Sequence, residues 1–207
     1  MARKGNALLN VAGLFAGIGG FELGLSRFGH RTRLLCEIDP RAKKILEANF
    51  PNIDVVNDVH EITKLPKNVS LLTAGFPCQD LSSSGLKEGI KGGRSSLVSE
   101  VFRILKSNHV NWVLIENVQF MLHLKKGEGI RTIVDGLERL GYNWAYRVLD
   151  TQYFGLPQRR KRVFILASKS GDPRDILLSN DSPSTIKTAK VTEPIGFYWT
   201  EGTYATG

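Results

Sequence analysis

Two side chains in this chain have the surroundings of reactive groups. Cys78 sits in Gly75-Phe-Pro-Cys-Gln-Asp-Leu-Ser82, a polar loop directly after the apolar stretch Ser70 to Ala74. If that stretch is a strand of a parallel sheet, the thiol lies at the carboxyl edge, where such folds place ligands. Pro77 has no N–H and a fixed φ, so it stiffens the backbone that carries the sulfur. Glu116, followed by Asn117 and Val118, ends the apolar stretch Trp112 to Ile115 and is expected beside Cys78 on the same edge. A glutamate there can be a strand cap or a site residue, and the asparagine after it favours the site. The other cysteine, Cys36, lies within an apolar run and reads as a small buried hydrophobe. Two cysteines make neither a disulfide framework nor a metal site.

A second group of residues has the spacing of a nucleoside site. Phe15-Ala-Gly-Ile-Gly-Gly20 joins an apolar run to an amphipathic one, and Gly17 and Gly19 let backbone approach a ligand closely. A Gly-x-Gly turn can also be no more than a tight connection. The dinucleotide fingerprint needs a third glycine three positions on, and this chain has Glu22 there. An acid at that point opposes a pyrophosphate. Glu37, after the second apolar run, is placed to accept hydrogen bonds from ribose hydroxyls, and Asp58, after the third, to accept from an adenine amino group. An adenosine-bearing ligand without phosphates points to S-adenosylmethionine. Asp39, just before Pro40, reads as a helix N-cap.

The elements that must hold these residues alternate in the manner of a βαβ layer fold. Strands are expected at Leu8 to Phe15, Arg33 to Ile38, Ile53 to Val56, Ser70 to Ala74 and Trp112 to Ile115, with a closing pair at Trp144 to Leu149 and Val163 to Ala167. Helices are expected at Gly20 to Phe28, Pro40 to Asn49, Ser95 to Lys106, and from about Ile130 to Leu140, stopped by Gly141. Gly75 to Gly93 is a long polar loop of the kind that serves function or disorder. After Ser168 the periodicity dissolves into Ser, Thr, Asp, Pro and Gly. The reading is one α/β domain with a doubly wound, mostly parallel sheet over residues 1–168. Residues 169–207 are then a disordered end or the start of a second region.

Composition sets the outer bounds. A hydrophobic fraction of 42% and a charged fraction of 23% are ordinary for a globular fold. No apolar run approaches the roughly 18 residues of a membrane span, and Met1 opens no signal peptide; a cytoplasmic location is expected. The net charge of +8 suits a polyanionic partner but equally a set of solvated lysines. The densest cluster is Arg159-Arg160-Lys161-Arg162.

Taken in order, these motifs resemble the DNA (cytosine-5) methyltransferase family. They are Phe15 to Gly20, Glu37-Ile-Asp39, Asp58, Gly75 to Ser82, Gly92-Gly-Arg-Ser-Ser-Leu97, Glu116-Asn-Val118 and Gln158-Arg-Arg-Lys-Arg162. The resemblance covers residues 8 to about 168 and implies an S-adenosylmethionine-dependent methyltransferase fold of Rossmann-like type. By the family mechanism Cys78 adds to carbon 6 of a flipped-out cytosine, and Glu116 donates to ring N3. Arg162 would hold the base oxygen and the Glu116 carboxyl, with Arg160 supporting it and Gln158 bracing the loop. The resemblance assigns Phe15, Gly17, Glu37, Ile38, Asp58, Gly19, Pro77 and Leu97 to cofactor contacts. Ile38 stands where some members have a bulky aromatic. Gly85, Gly89, Gly92 and Gly93 are the hinges of a loop expected to close over the base. Arg159 and Lys161 are expected at phosphates or in solvent.

The resemblance also implies a partner and an incompleteness. The substrate would be double-stranded DNA, and the family's target-recognition region and final helix have no counterpart before Gly207. The chain is therefore expected to be a fragment, a truncated domain, or one subunit of a split enzyme whose second polypeptide supplies that region. Three rivals stand beside this reading. A tRNA cytosine methyltransferase shares the fold, although those relatives tend to have a second proline before the cysteine. An inactive regulatory binding subunit has no use for Cys78, Glu116 and Arg162 together. A nicotinamide oxidoreductase is opposed by Glu22.

Overall fold

The computed structural model describes residues 8–77 and 97–178. Seven strands form a single sheet: β1 Asn10–Leu14, β2 Arg31–Cys36, β3 Val55–Val56, β4 Leu71–Ala74, β5 Trp112–Val118, β6 Asn143–Asp150 and β7 Lys161–Ser168. Their order across the sheet is β3-β2-β1-β4-β5-β7-β6. Strands β1 to β5 pair in parallel, whereas β7 runs antiparallel to both β5 and β6. Among the described residues five α-helices pack around it: α1 Gly20–Ser26, α2 Pro40–Asn49, α3 Leu97–Ser107, α4 Glu128–Arg139 and α5 Pro173–Leu177. No helix among the described residues is long and apolar enough to cross a membrane.

Local chemistry sets the element ends. The Asp39 carboxylate accepts from the Arg41 N–H at 2.8 Å, and Pro40 takes the first helical position of α2, as the sequence implied. Gly141, with φ +80°, ends α4, and the N–H groups of Gly141 and Tyr142 close onto the carbonyls of Glu138 and Leu137. Along α3, Val98, Val101, Ile104 and Leu105 face the sheet, and along α4 Ile133 and Leu137 do so. These residues share one core with Ala12, Leu14, Leu72, Ala74, Val113, Ile115, Val163, Ile165 and Ala167.

Two elements differ from the sequence reading. β5 continues to Val118 rather than ending before Glu116, because Glu116, Asn117 and Val118 pair with Phe164, Val163 and Arg162. After Ser168 the chain does not lose structure at once. Asp172 caps α5, with Pro173 at its first position, and Arg147 donates to the Leu177 carbonyl at 3.2 Å. Five residues are too few for the periodicity that reveals longer helices.

The sheet's other face contains a buried acid. Glu22, in the first turn of α1, is only 1% exposed. Gly13 makes its room, since a Cβ there would come within 2.3 Å of Glu22 Oε1. That oxygen accepts from the Thr73 hydroxyl at 2.8 Å, while Oε2 has no partner among the described residues. Burial raises the Glu22 pKa above its ordinary 4.5, opposed in part by the Thr73 bond. A raised folded-state value means that stability is fully present below 4.5 and is lost as pH rises through the folded-state value. Glu22→Gln removes the ionisable carboxyl but keeps the shape. Its urea midpoint should exceed that of the wild type by a margin that grows with rising pH; a margin independent of pH would show that Glu22 does not titrate in the fold.

Candidate active site

Register builds the site. Cys36, Leu14, Ala74 and Ile115 lie side by side across β2, β1, β4 and β5. One residue further along each strand come Glu37, Phe15, Gly75 and Glu116, a row along the carboxyl edge. With strands about 4.8 Å apart, this row spans roughly 14 Å. The strand order reverses between β1 and β4, so Phe15 and Gly75 occupy the switch point where open α/β sheets bind ligands.

At one end of the row the glycine turn wraps the Glu37 carboxylate. Gly17 N–H donates to Glu37 Oε2 at 2.7 Å, and Asp39 N–H donates to Oε1 at 2.8 Å. Both oxygens are thus oriented from the protein side, and each keeps a lone pair for a hydroxyl donor. Gly17 has φ +56° and open space where a Cβ would stand. Gly19, at φ +85°, answers to packing instead: a Cβ would come within 2.8 Å of Leu46 and 2.9 Å of Phe50. Asp58 caps the turn after β3, its Oδ1 accepting from His60 N–H at 3.0 Å with the His60 ring beside it. Ile38 is 75% exposed next to Glu37. This donor and acceptor set fits an adenosine group: a fixed carboxylate for ribose, an acid for an amino group, and an uncrowded glycine backbone.

At the other end Glu116 meets Arg162. Glu116 faces Phe164 across the β5–β7 pairing, and Arg162 is its diagonal neighbour on the same face. Arg162 Nε lies 2.8 Å from Glu116 Oε1, with the two side chains 20% and 25% exposed. Glu116 Oε2 turns the other way, 3.5 Å from where a Gly75 Cβ would be. One oxygen is therefore held by the arginine while the other faces the loop that leads to Cys78.

That loop is tied down from beneath. Asn117 is buried, and its Nδ2 donates to the Phe76 carbonyl at 2.9 Å, two residues before the cysteine. Phe76 also stands edge-on to Phe15, with centroids 6.2 Å apart, a contact worth about 1 kcal/mol. Pro77 is the last described residue of the strand exit, and Leu97 opens α3 against the core. Cys78, Gly85, Gly89, Gly92 and Gly93 lie outside the described residues. Cys36 is buried beneath the row, where desolvation and then the nearby Glu37 charge push its thiol up to about 12. It stays protonated and unreactive, which leaves Cys78 as the sequence's other thiol.

The arginine cluster divides. Arg162 is in the site, whereas the Arg160 side chain is exposed and makes no ion pair among the described residues. It is the backbone of Arg160 that matters locally: its N–H donates to Asp150 and its carbonyl accepts from Thr151 N–H. The Gln158 carbonyl accepts from the Thr151 hydroxyl, so Gln158 also braces this connection through its main chain. Arg159 and Lys161 are exposed.

Three positioning residues escape sequence reading. Asn117 reads only as a neighbour of Glu116. Asp150, buried at the end of β6, accepts from Gln152 N–H and Arg160 N–H at 3.2 Å each and shapes the approach to Arg162. Arg103 on α3 donates to the carbonyls of Ile62 and Val59 and pairs with Glu100 at 2.6 Å, clamping the turn that Asp58 caps. Asn117 left a trace in the Glu116-Asn-Val118 motif and Asp150 could have been found as a lone acid closing an apolar strand, whereas Arg103 has no such signal.

A parallel sheet ending in an antiparallel seventh strand, with acids after β2 and within β5 at one edge, is the S-adenosylmethionine-dependent methyltransferase fold. Residues 9–200 match the model of the C-5 cytosine-specific DNA methylases, and the chain belongs to that family. It is 47% identical to the type II methyltransferase M2.BsuMI of Bacillus subtilis, over 96% of this chain and 53% of that protein. With the type II methyltransferase M.BanI of Aneurinibacillus aneurinilyticus it shares 39% identity, over 81% of this chain and 40% of the relative. The chain thus spans about half the length of the curated relatives it matches. Among solved structures, the S. pombe Dnmt2 methyltransferase superposes with a TM-score of 0.58 at 27% identity, covering 77% of this chain and 49% of that one. The Entamoeba histolytica methyltransferase EhMeth gives 0.62 at 23%, covering 79% and 54%, a likeness of fold.

Asn117→Ala should leave the Phe76 carbonyl unpaired in the interior at a cost of about 1–3 kcal/mol, read as a lowered urea midpoint. An unchanged midpoint would show that this bond does not hold the loop.

Proposed function

We propose that this chain carries the cofactor-binding and catalytic part of an enzyme that methylates carbon 5 of cytosine in double-stranded DNA. The observation that carries the reading is the Glu116–Arg162 pair at the carboxyl edge, one strand from the exit toward Cys78. Carbon 5 of cytosine is too weak a nucleophile to react unaided. The Cys78 thiolate adds to carbon 6, and electron density moves onto the ring. Glu116, its Oε1 held by Arg162, is the proton donor to ring N3 through Oε2 and offsets the charge that develops. Arg162 keeps that carboxyl in place and offers its remaining N–H groups to the base oxygen. Once carbon 5 carries the methyl group, loss of its proton to solvent expels Cys78 as the thiolate, the N3 proton returns to Glu116, and the ring is restored.

Glu37, Asp58, Gly17 and the neighbouring Phe15, Ile38, Pro77 and Leu97 would hold S-adenosylmethionine along the other half of the row, with Gly19 shaping the turn. When bound, that group supplies an electrophilic methyl. A stacked base cannot reach this edge, so the target cytosine is flipped out. The reading assigns recognition of the surrounding DNA sequence to protein outside these 207 residues, in the same polypeptide or a second one.

The test is transfer of tritiated methyl from S-adenosylmethionine to mixed-sequence duplex DNA, with the product digested and the base identified. Label should appear as 5-methylcytosine and vanish in Cys78→Ser. Glu116→Gln should slow the transfer by about 10²–10⁴-fold. Label on another base, on RNA alone, or undiminished in Cys78→Ser would overturn the reading.

A further inference from the structure

After β5 the chain does not leave the catalytic edge. It makes two 3₁₀ turns, Gln119–Leu122 and Leu124–Gly127, before α4 begins. This connection has two sides. Met121 is fully buried, Leu122 and Leu124 pack on the core, and Gly129 lies against the Met121 backbone. Phe120, His123, Lys125 and Lys126 face outward. Phe120 is 62% exposed, an aromatic on the side where solvent alone would favour a polar residue. Lys125 and Lys126 both adopt left-handed backbone, with φ of 46° and 59°, directly before Gly127 at 90°. L-residues are disfavoured there and glycine or asparagine is the default, so packing alone gives no reason for two lysines in succession.

Position and charge identify what such a surface meets. Val118, where the connection starts, pairs with Arg162, so the run Arg159 to Arg162 lies immediately across the β5–β7 pairing. Glu128 and Asp135 on α4 stand beside the two lysines and offset part of their charge, while Arg131 adds to it. The excess at this edge remains positive, with an exposed aromatic inside it. Cations interleaved with aromatics suit a polyanion that also offers apolar sugar and base faces.

We propose that the β5–α4 connection is a contact surface for the phosphodiester backbone of duplex DNA beside the flipped base, with Lys125 and Lys126 on phosphates and Phe120 against the sugar-base face. The proposal rests on the DNA reading above and assigns it a binding element that the sequence motifs do not include. Neither lysine touches the reacting atoms, so their replacement acts on binding rather than on the covalent step.

The experiment measures duplex affinity of the whole chain by fluorescence anisotropy across a salt series, for wild type, Lys125→Gly/Lys126→Gly and Phe120→Ala. Each phosphate contact contributes about 0.9 to the slope of log affinity against log salt. The double glycine variant should lose about 2 from that slope and bind more weakly, yet melt no lower than wild type, because glycine suits the left-handed positions. Phe120→Ala should weaken binding with the slope unchanged. A double variant with wild-type slope and affinity overturns the proposal, as does tighter binding of RNA than of duplex DNA through the same lysines. A wild-type chain with no salt-dependent duplex binding overturns the DNA reading itself, and this proposal with it.

Discussion

The antiparallel pairing of β7 with β5 is the constraint on which the site depends. In a wholly parallel sheet, the strand beside β5 would begin at the far edge, and its first residues could not meet Glu116. Because β7 runs the other way, it starts at the carboxyl edge, and its second residue, Arg162, lies diagonally across from Glu116. The ion pair follows from strand direction and register together. Moving β7 by one residue would turn Arg162 to the opposite face, where Val163 and Ile165 now fill the core. The apolar core therefore enforces the Glu116–Arg162 pairing: Val113, Ile115, Val163 and Ile165 are buried only in the register that brings the acid and the arginine together.

The rest of the edge is arranged around that fixed point by short bonds into the backbone. Asn117, one residue along from Glu116 and pointing to the other face, holds the Phe76 carbonyl. Glu116 and Asn117 thus act on opposite sides of one strand, the first toward Arg162 and the second toward the backbone of Phe76. Asp150 does for the approach to Arg162 what Glu37 does for the glycine turn: a carboxylate collects two backbone N–H groups and fixes a bend. Such bonds are charge-assisted and short-range, so each holds its own segment without relying on the others.

The sheet was legible in the sequence because its strands and helix ends have strong local signatures. Apolar runs of four to eight residues marked the strands, and Asp39-Pro40 and Gly141 marked helix ends. Glu116 and Glu37 stood out as acids closing apolar stretches, and Cys78 as a thiol in a polar loop. What remained hidden depends on non-local pairing. The extension of β5 through Glu116 exists only because β7 lies alongside, and nothing in Trp112 to Val118 announces that partner. The burial of Glu22 depends on Gly13 and Thr73 from two other strands. From the sequence, Glu22 served only to oppose a pyrophosphate; in the fold it fills space against the sheet. Gly19 likewise read as a ligand contact, yet its backbone is demanded by Leu46 and Phe50.

The central claim is that Arg162 acts on the reaction through Glu116. A double-mutant cycle on covalent adduct formation tests it most directly, using duplex DNA that contains 5-fluorocytosine and measuring the trapping rate for wild type, Glu116→Gln, Arg162→Met and the double variant. Residues that act as one unit are strongly non-additive. Because Arg162 also reaches the base oxygen, the account predicts that the double variant loses clearly less than the product of the two single losses. Losses that multiply across the two singles would contradict it, and would make Arg162 and Glu116 independent contributors that merely share an edge.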